Sequence, residues 1–215
     1  MSDSYKPARK RRGVALPVVI AGGLSSLLLA FSFTPTFSAL TAAITNSINT
    51  AGTGTLVMTE TSTDMSTTCT SGATGSATCS TINKFGGNTA SSGYLALKPG
   101  GSVTSNITIK NSGTIDAATF TMAGGTCTMS TNGSVNGSAT QAQLCGKFNL
   151  LITAGGTSIY SGTAAAFAGT NTPIGTGVTA GSTVNIVVKV TLDPSADATY
   201  QGLAITQPIT WTFGA

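Results

Sequence analysis

Apolar and polar residues alternate with a period of two along three stretches of this chain. In Ser102–Asn111, Val103, Ile107 and Ile109 share one face with Ser105, while Thr104, Asn106, Thr108 and Lys110 take the other. In Thr183–Leu192, Val184, Ile186, Val188, Val190 and Leu192 fall on one side, against Thr183, Asn185, Val187, Lys189 and Thr191. Near the C-terminus, Ile205, Ile209, Trp211 and Phe213 oppose Ala204, Thr206, Thr210 and Thr212. Successive side chains of an extended strand point to opposite faces, so each stretch predicts a half-buried antiparallel strand. Further strands are expected over residues 55–60, 93–97, 118–123, 147–153 and 158–160. Between them lie the turn sequences Lys98-Pro99-Gly100-Gly101, Asn111-Ser112-Gly113, Ala154-Gly155-Gly156 and Ala180-Gly181-Ser182.

About eight or more short strands separated by turns predict an all-β fold, a two-sheet antiparallel sandwich of jelly-roll or immunoglobulin-like type. Pro208 cannot donate to a ladder, which predicts that the last strand lies at an edge or carries a bulge there. The segments Asp193-Pro194-Ser195-Ala196-Asp197-Ala198 and Thr140-Gln141-Ala142-Gln143-Leu144 read equally as single helical turns or as loops.

A different pattern precedes the strands. Arg9-Lys10-Arg11-Arg12 is followed by an apolar run over residues 13–33 and then by Thr36-Phe37-Ser38-Ala39. Basic, apolar and small residues in that order predict a signal-peptide helix within residues 1–38, cut by a signal peptidase between Ser38 and Ala39, with cleavage after Ala43 as the alternative. At about 20 residues the apolar run also has the length of a membrane anchor. Gly22-Gly23 and Ser25-Ser26 interrupt it, and the reading therefore favours cleavage, with membrane contact only through the uncleaved precursor. In either case the bulk of the chain ends up outside the cell. Residues 39–54 then form an extended N-terminal segment, and residues 55–215 the sandwich domain.

Cleavage changes the charge balance. The whole chain carries a formal charge of +4, but five of its ten basic residues and one of its six acids precede the cut. The remainder has Lys84, Lys98, Lys110, Lys147 and Lys189 against Glu60, Asp64, Asp116, Asp193 and Asp197, a formal charge of zero. Without arginine, a basic patch or an aromatic cluster, it offers nothing to bind nucleic acid. Low charge of both signs permits self-association.

Cys69, Cys79, Cys127 and Cys145 all lie in the exported part, where disulfides persist. Three pairings are possible and spacing alone does not choose among them. The reading favours Cys69–Cys79 and Cys127–Cys145, because each pair brackets a Gly/Ser/Thr-rich excursion with few apolar residues to hold it. Closing such loops stabilises by roughly 3 kcal/mol each on the chain-entropy account. Zinc is disfavoured, since there is no Cys-x-x-Cys and no histidine.

The lack of histidine also removes Ser-His-Asp and Cys-His arrangements and the His-Glu-x-x-His zinc helix, each of which needs an imidazole. The five acids read as solvated loop acids or turn formers, with Asp193 and Asp197 considered as a sparse calcium pair. No catalytic residue, cofactor or metal is expected. Tyr94, Tyr160 and Trp211 are the aromatic contacts that a carbohydrate-binding module or monomeric cell-surface adhesin would use, although Trp211 alternates with Ile209 and Phe213 as a core residue does.

The run from Ala39-Leu40-Thr41 to Gly54-Thr55-Leu56-Val57-Met58 resembles the start of the mature proteins of the bacterial TasA/camelysin family, which are exported by a dedicated, SipW-type signal peptidase. Leu97-Lys98-Pro99-Gly100-Gly101-Ser102-Val103, followed by Ile107-Thr108-Ile109-Lys110-Asn111-Ser112-Gly113-Thr114, resembles that family's strand, turn and strand. Val184 to Leu192, Tyr200-Gln201-Gly202 and Ile209-Thr210-Trp211-Thr212-Phe213 are similar to its closing strands. The resemblance implies a secreted jelly-roll subunit that joins identical copies into biofilm-matrix fibres. In it the segment bearing Leu40, Ile44 and Ile48 is lent to the next copy as an added strand. The family's metallopeptidase label does not carry over to a chain without histidine.

Overall fold

The computed structural model describes residues 50–62, 67–72, 75, 77–86 and 95–215. The expected leader, the cut between Ser38 and Ala39, and the segment side chains Leu40, Ile44 and Ile48 lie outside these residues, as do Asp64 and Tyr94. From Gly52 to Ala215 the chain forms one compact unit.

That unit is a β-sandwich. Its strands are β1 (Met58–Ser62), β2 (Thr68–Thr70), β3 (Ser102–Asn111), β4 (Ala117–Gly124), β5 (Thr128–Thr131), β6 (Phe148–Ala154), β7 (Thr157–Thr163), β8 (Asn171–Val178), β9 (Thr183–Leu192), β10 (Leu203–Thr206) and β11 (Ile209–Gly214). One sheet has six strands in the order β2-β1-β3-β9-β6-β7. Opposite it, β4 pairs with β11 on one side and β8 on the other, and β5 pairs with β10. Every pairing is antiparallel.

The alternation of the sequence is what builds the core. Along β3, Val103, Ser105, Ile107, Ile109 and Asn111 are buried, and along β9 the inward set runs from Ile186 to Leu192. Register lines them up in rows: Ile107 faces Ile186, and Val188 lies between Ser105 and Ile152. Phe120 and Met122 of β4 belong to the same apolar cluster. Each fully buried side chain of this size stabilises by about 1.5–3 kcal/mol relative to exposure.

Two short helices pack on the strands. α1 (Gln141–Lys147) starts at Thr140, whose hydroxyl accepts from the Gln143 amide while the Gln143 side chain accepts from the Thr140 amide. That reciprocal pair satisfies two amide donors at the helix start, so the helical reading of this segment is the one realised. α2 (Ala164–Phe167) buries Phe167 completely. The Asp193 to Ala198 stretch instead makes turns, and a 3-10 helix follows over Ala198–Tyr200 with Asp197 as its cap.

Three expectations change. Residues 95–97 are not a strand. The C-terminal alternation is not one strand but two, because the ladder breaks at Gln207-Pro208: Thr206 faces Thr128 and Ile209 faces Gly124, so two residues span the gap opposite three. Pro208 supplies only its carbonyl there, accepting from the Gly125 amide at 2.8 Å. Both β10 and β11 lie at an edge, as a proline at this position requires. Finally, β8 is a strand despite Pro173, Gly175 and Gly177, residues that weaken the sequence signal and are tolerated because β8 pairs only with β4.

Candidate functional site

On the side where β1 and β2 face β10 and β11, the two sheets part around a groove of about 1600 Å³. One wall carries Leu56 and Met58 together with Ile82 and Phe85, and the other Ile209, Trp211 and Phe213. Val190 and Leu192 of β9 reach it from the six-stranded sheet. Its apolar character follows directly from the alternation: the odd-numbered residues of β11 turn inward, whereas Thr210 and Thr212 are exposed. Phe120 fixes the wall from behind, with ring centroids 5.0 Å from Phe213 and 6.2 Å from Trp211.

The backbone beside this groove is incomplete. β11 hydrogen-bonds only to β4, and β10 only to β5, so their outer edge has no strand partner among the described residues. Unpaired amides and carbonyls on a strand edge are a template for another strand.

Two side-chain atoms of the groove lining are also unpaired. Gln207 is 8 % exposed and donates through Nε2 to the carbonyls of Gly125 and Ala164, both at 2.9 Å, while its Oε1 accepts nothing. The Trp211 Nε1 donates to nothing. Both atoms are shut off from water, and unpartnered polar atoms in such a place are desolvated without compensation.

Glu60 departs from its expected role as a solvated acid. It sits on the inward face of β1, 7 % exposed, with its carboxylate 2.8 Å from the Lys84 ammonium. The pair neutralises what would otherwise be isolated charges beside an apolar groove. Its position was readable from the alternation of Met58, Glu60 and Ser62.

Both bridges join cysteines that are neighbours along the chain. Cys69–Cys79 ties β2 to the stretch bearing Ile82 and Phe85, and both cysteines line the groove. Cys127–Cys145 ties the break between β4 and β5 to α1.

Of the other described acids, Asp193 and Asp197 are committed to local turns and Asp116 bonds the distant β8 to β9 turn. Asp116 accepts from the Ala180 amide at 2.8 Å. Asp193 accepts from the hydroxyl and amide of Ser195, and these bonds hold its carboxyl below the ordinary value, with Lys147 adding to the effect. Asp197 is lowered in the same way by the hydroxyl and amide of Thr199. Among the described residues no three His, Cys, Asp or Glu side chains gather into a cluster with metal-ligating geometry. Tyr160 donates its hydroxyl to the Thr163 carbonyl at 2.8 Å, stacks on Phe167 and has its pKa raised by burial. It is not part of the groove, so Tyr160 and Trp211 do not share a binding surface.

Among the described residues no helix is long and apolar enough to cross a membrane. The two disulfides are compatible with an oxidising, extracellular setting. No known family model matches the chain, and no curated protein matches it.

Proposed function

We propose that this chain is a secreted, non-enzymatic subunit of extracellular or biofilm-matrix fibres, joined by strand addition. Residues 39–54 of one copy lie along the β10 and β11 edge of the next and cover its groove. The observation that carries this reading is the coincidence of an open groove, with an apolar wall from β11, and a strand edge that has no partner among the described residues, on the same side of the sandwich.

The donor segment has matching chemistry. Its large apolar residues, Leu40, Ile44 and Ile48, all fall on even positions, whereas Ala39, Thr41, Ala43, Thr45, Ser47, Asn49, Ala51 and Thr53 fall on odd ones. As an extended strand it therefore has one apolar face and one small, polar face. Burying three such side chains supplies about 5–9 kcal/mol of transfer free energy. Association itself costs about 4–15 kcal/mol, so side chains alone roughly break even and the backbone ladder decides the outcome. With zero net charge after cleavage, no long-range repulsion opposes joining.

Deleting residues 39–53 from the secreted chain is expected to leave the sandwich folded by circular dichroism and to abolish filaments in electron micrographs. Filaments that persist without the segment overturn strand addition. A mass by light scattering that stays monomeric at every concentration favours the adhesin reading instead.

A further inference from the structure

The groove carries two unsatisfied polar atoms with opposite needs, and they sit four residues apart on consecutive edge segments: Gln207 Oε1 lacks a donor and Trp211 Nε1 lacks an acceptor. The apolar face of the donor segment is interrupted by two polar residues with that same spacing, Asn46 and Thr50. We infer, resting on the strand-addition reading above, that Asn46 sets the register of joining. A donor segment running antiparallel to β11 of the next copy places Asn46 opposite Trp211 and Thr50 opposite Gln207. The Asn46 side-chain carbonyl then accepts from the Trp211 Nε1–H, and the Thr50 hydroxyl donates to Gln207 Oε1.

The same register puts Ile48 opposite Ile209 and Ile44 opposite Phe213, while Leu40 falls past the end of β11. A parallel donor matches the apolar residues as well, with Ile44 opposite Ile209 and Ile48 opposite Phe213, but fails at the polar pair. With Asn46 opposite Trp211, it brings Ala42 to Gln207, and alanine has no side-chain donor. A slip of two residues in either direction sets an isoleucine against Trp211 and leaves both polar atoms without partners. Each atom left buried in that way weakens joining by about tenfold. Apolar grooves tolerate sliding, because their contacts are non-directional. A directional bond at one position is what selects a single alignment, in the way a lone buried asparagine fixes the register of a coiled coil.

The test uses the secreted full-length mature chain. Asn46→Leu keeps the side-chain bulk, and circular dichroism checks that the sandwich is folded. It is expected to raise the concentration needed for fibre formation, measured by sedimentation, by about tenfold. Trp211→Phe removes the indole N–H and is expected to do the same, and the two changes together are expected to raise it no more than the larger single effect. Thr50→Val acts in the same direction at the Gln207 end. Trp211 is the only tryptophan of the chain, so the Raman marker of the indole N–H reports this bond alone. It is expected to read as hydrogen-bonded in wild-type fibres and as free in Asn46→Leu fibres.

Wild-type assembly by the Asn46→Leu chain, or effects of the two substitutions that multiply, overturns the register assignment while leaving strand addition standing. Fibres formed by a chain lacking residues 39–53 overturn strand addition itself. A monomer with a hydrogen-bonded indole shows the segment closing a groove without joining copies, and overturns the fibre reading.

Discussion

Asn111 is the side chain on which the β3 to β4 turn depends. It is fully buried, its amide donates to the carbonyls of Ile115 at 2.9 Å and Val178 at 2.8 Å, and its carbonyl accepts from the Gly113 amide at 3.0 Å. Gly113 is required beside it, because a Cβ there would lie 2.2 Å from the Thr55 carbonyl oxygen. Asn111→Ala leaves the buried Val178 carbonyl and two part-buried backbone groups without this partner and is expected to lower the stability measured by urea denaturation by about 2 kcal/mol. Asn111→Asp is expected to be worse, since a carboxylate has no hydrogen to offer the two carbonyls. Asp193 and Asp197 give the molecule a mild acid sensitivity. Their folded pKa values are depressed from 3.8, so their contribution is fully present above that value and is lost as pH falls through the lowered folded values. Both are exposed and screened, so the effect is small. Melting temperature is expected to decline on acidification below about pH 4, and to decline less in the Asp193→Asn/Asp197→Asn chain.

At the level of elements, the strands with strict alternation were legible and those without it were not. β3 and β9 run ten residues each with an unbroken inward set, which is why their ends and buried faces could be read directly. β8 carries a proline and two glycines, and β2 has only three residues, so neither offers a period to count. The division of the last strand at Gln207-Pro208 was half legible: the proline gave the location, but the extra residue on the β4 to β5 side depends on pairing across about eighty residues of chain. The groove itself was not legible. It arises from two edges that fail to meet, a property of sheet arrangement rather than of any one segment. The same is true of Gln207 and Trp211, whose polar atoms are ordinary in sequence and conspicuous only because the fold encloses them unpaired. The Cys127–Cys145 bridge holds the β4 to β5 break against α1, and closing its 18-residue separation contributes about 3 kcal/mol on the chain-entropy account. Replacing both cysteines by serine is expected to lower the thermal midpoint without altering the sandwich, as measured by calorimetry.

For the sandwich as a whole, the groove and the β10 and β11 edge lie together, while α1 contributes Leu144 to the groove lining. On the proposed strand addition, one segment gives and a different edge receives, and such heterologous contacts propagate rather than close. Edges left open in this manner invite unwanted partners as well as intended ones. Pro208 limits the danger. Uncontrolled amyloid growth stacks flat ribbons through an unbroken series of amide donors, and here the series is interrupted between the four residues of β10 and the six of β11. Pro208→Val restores the missing donor and is expected to give more thioflavin-positive aggregate than the natural chain. On the proposed strand addition, the proline that spoils the ladder would serve as a gatekeeper, favouring a guest strand bent to match the break over any stiff, straight one.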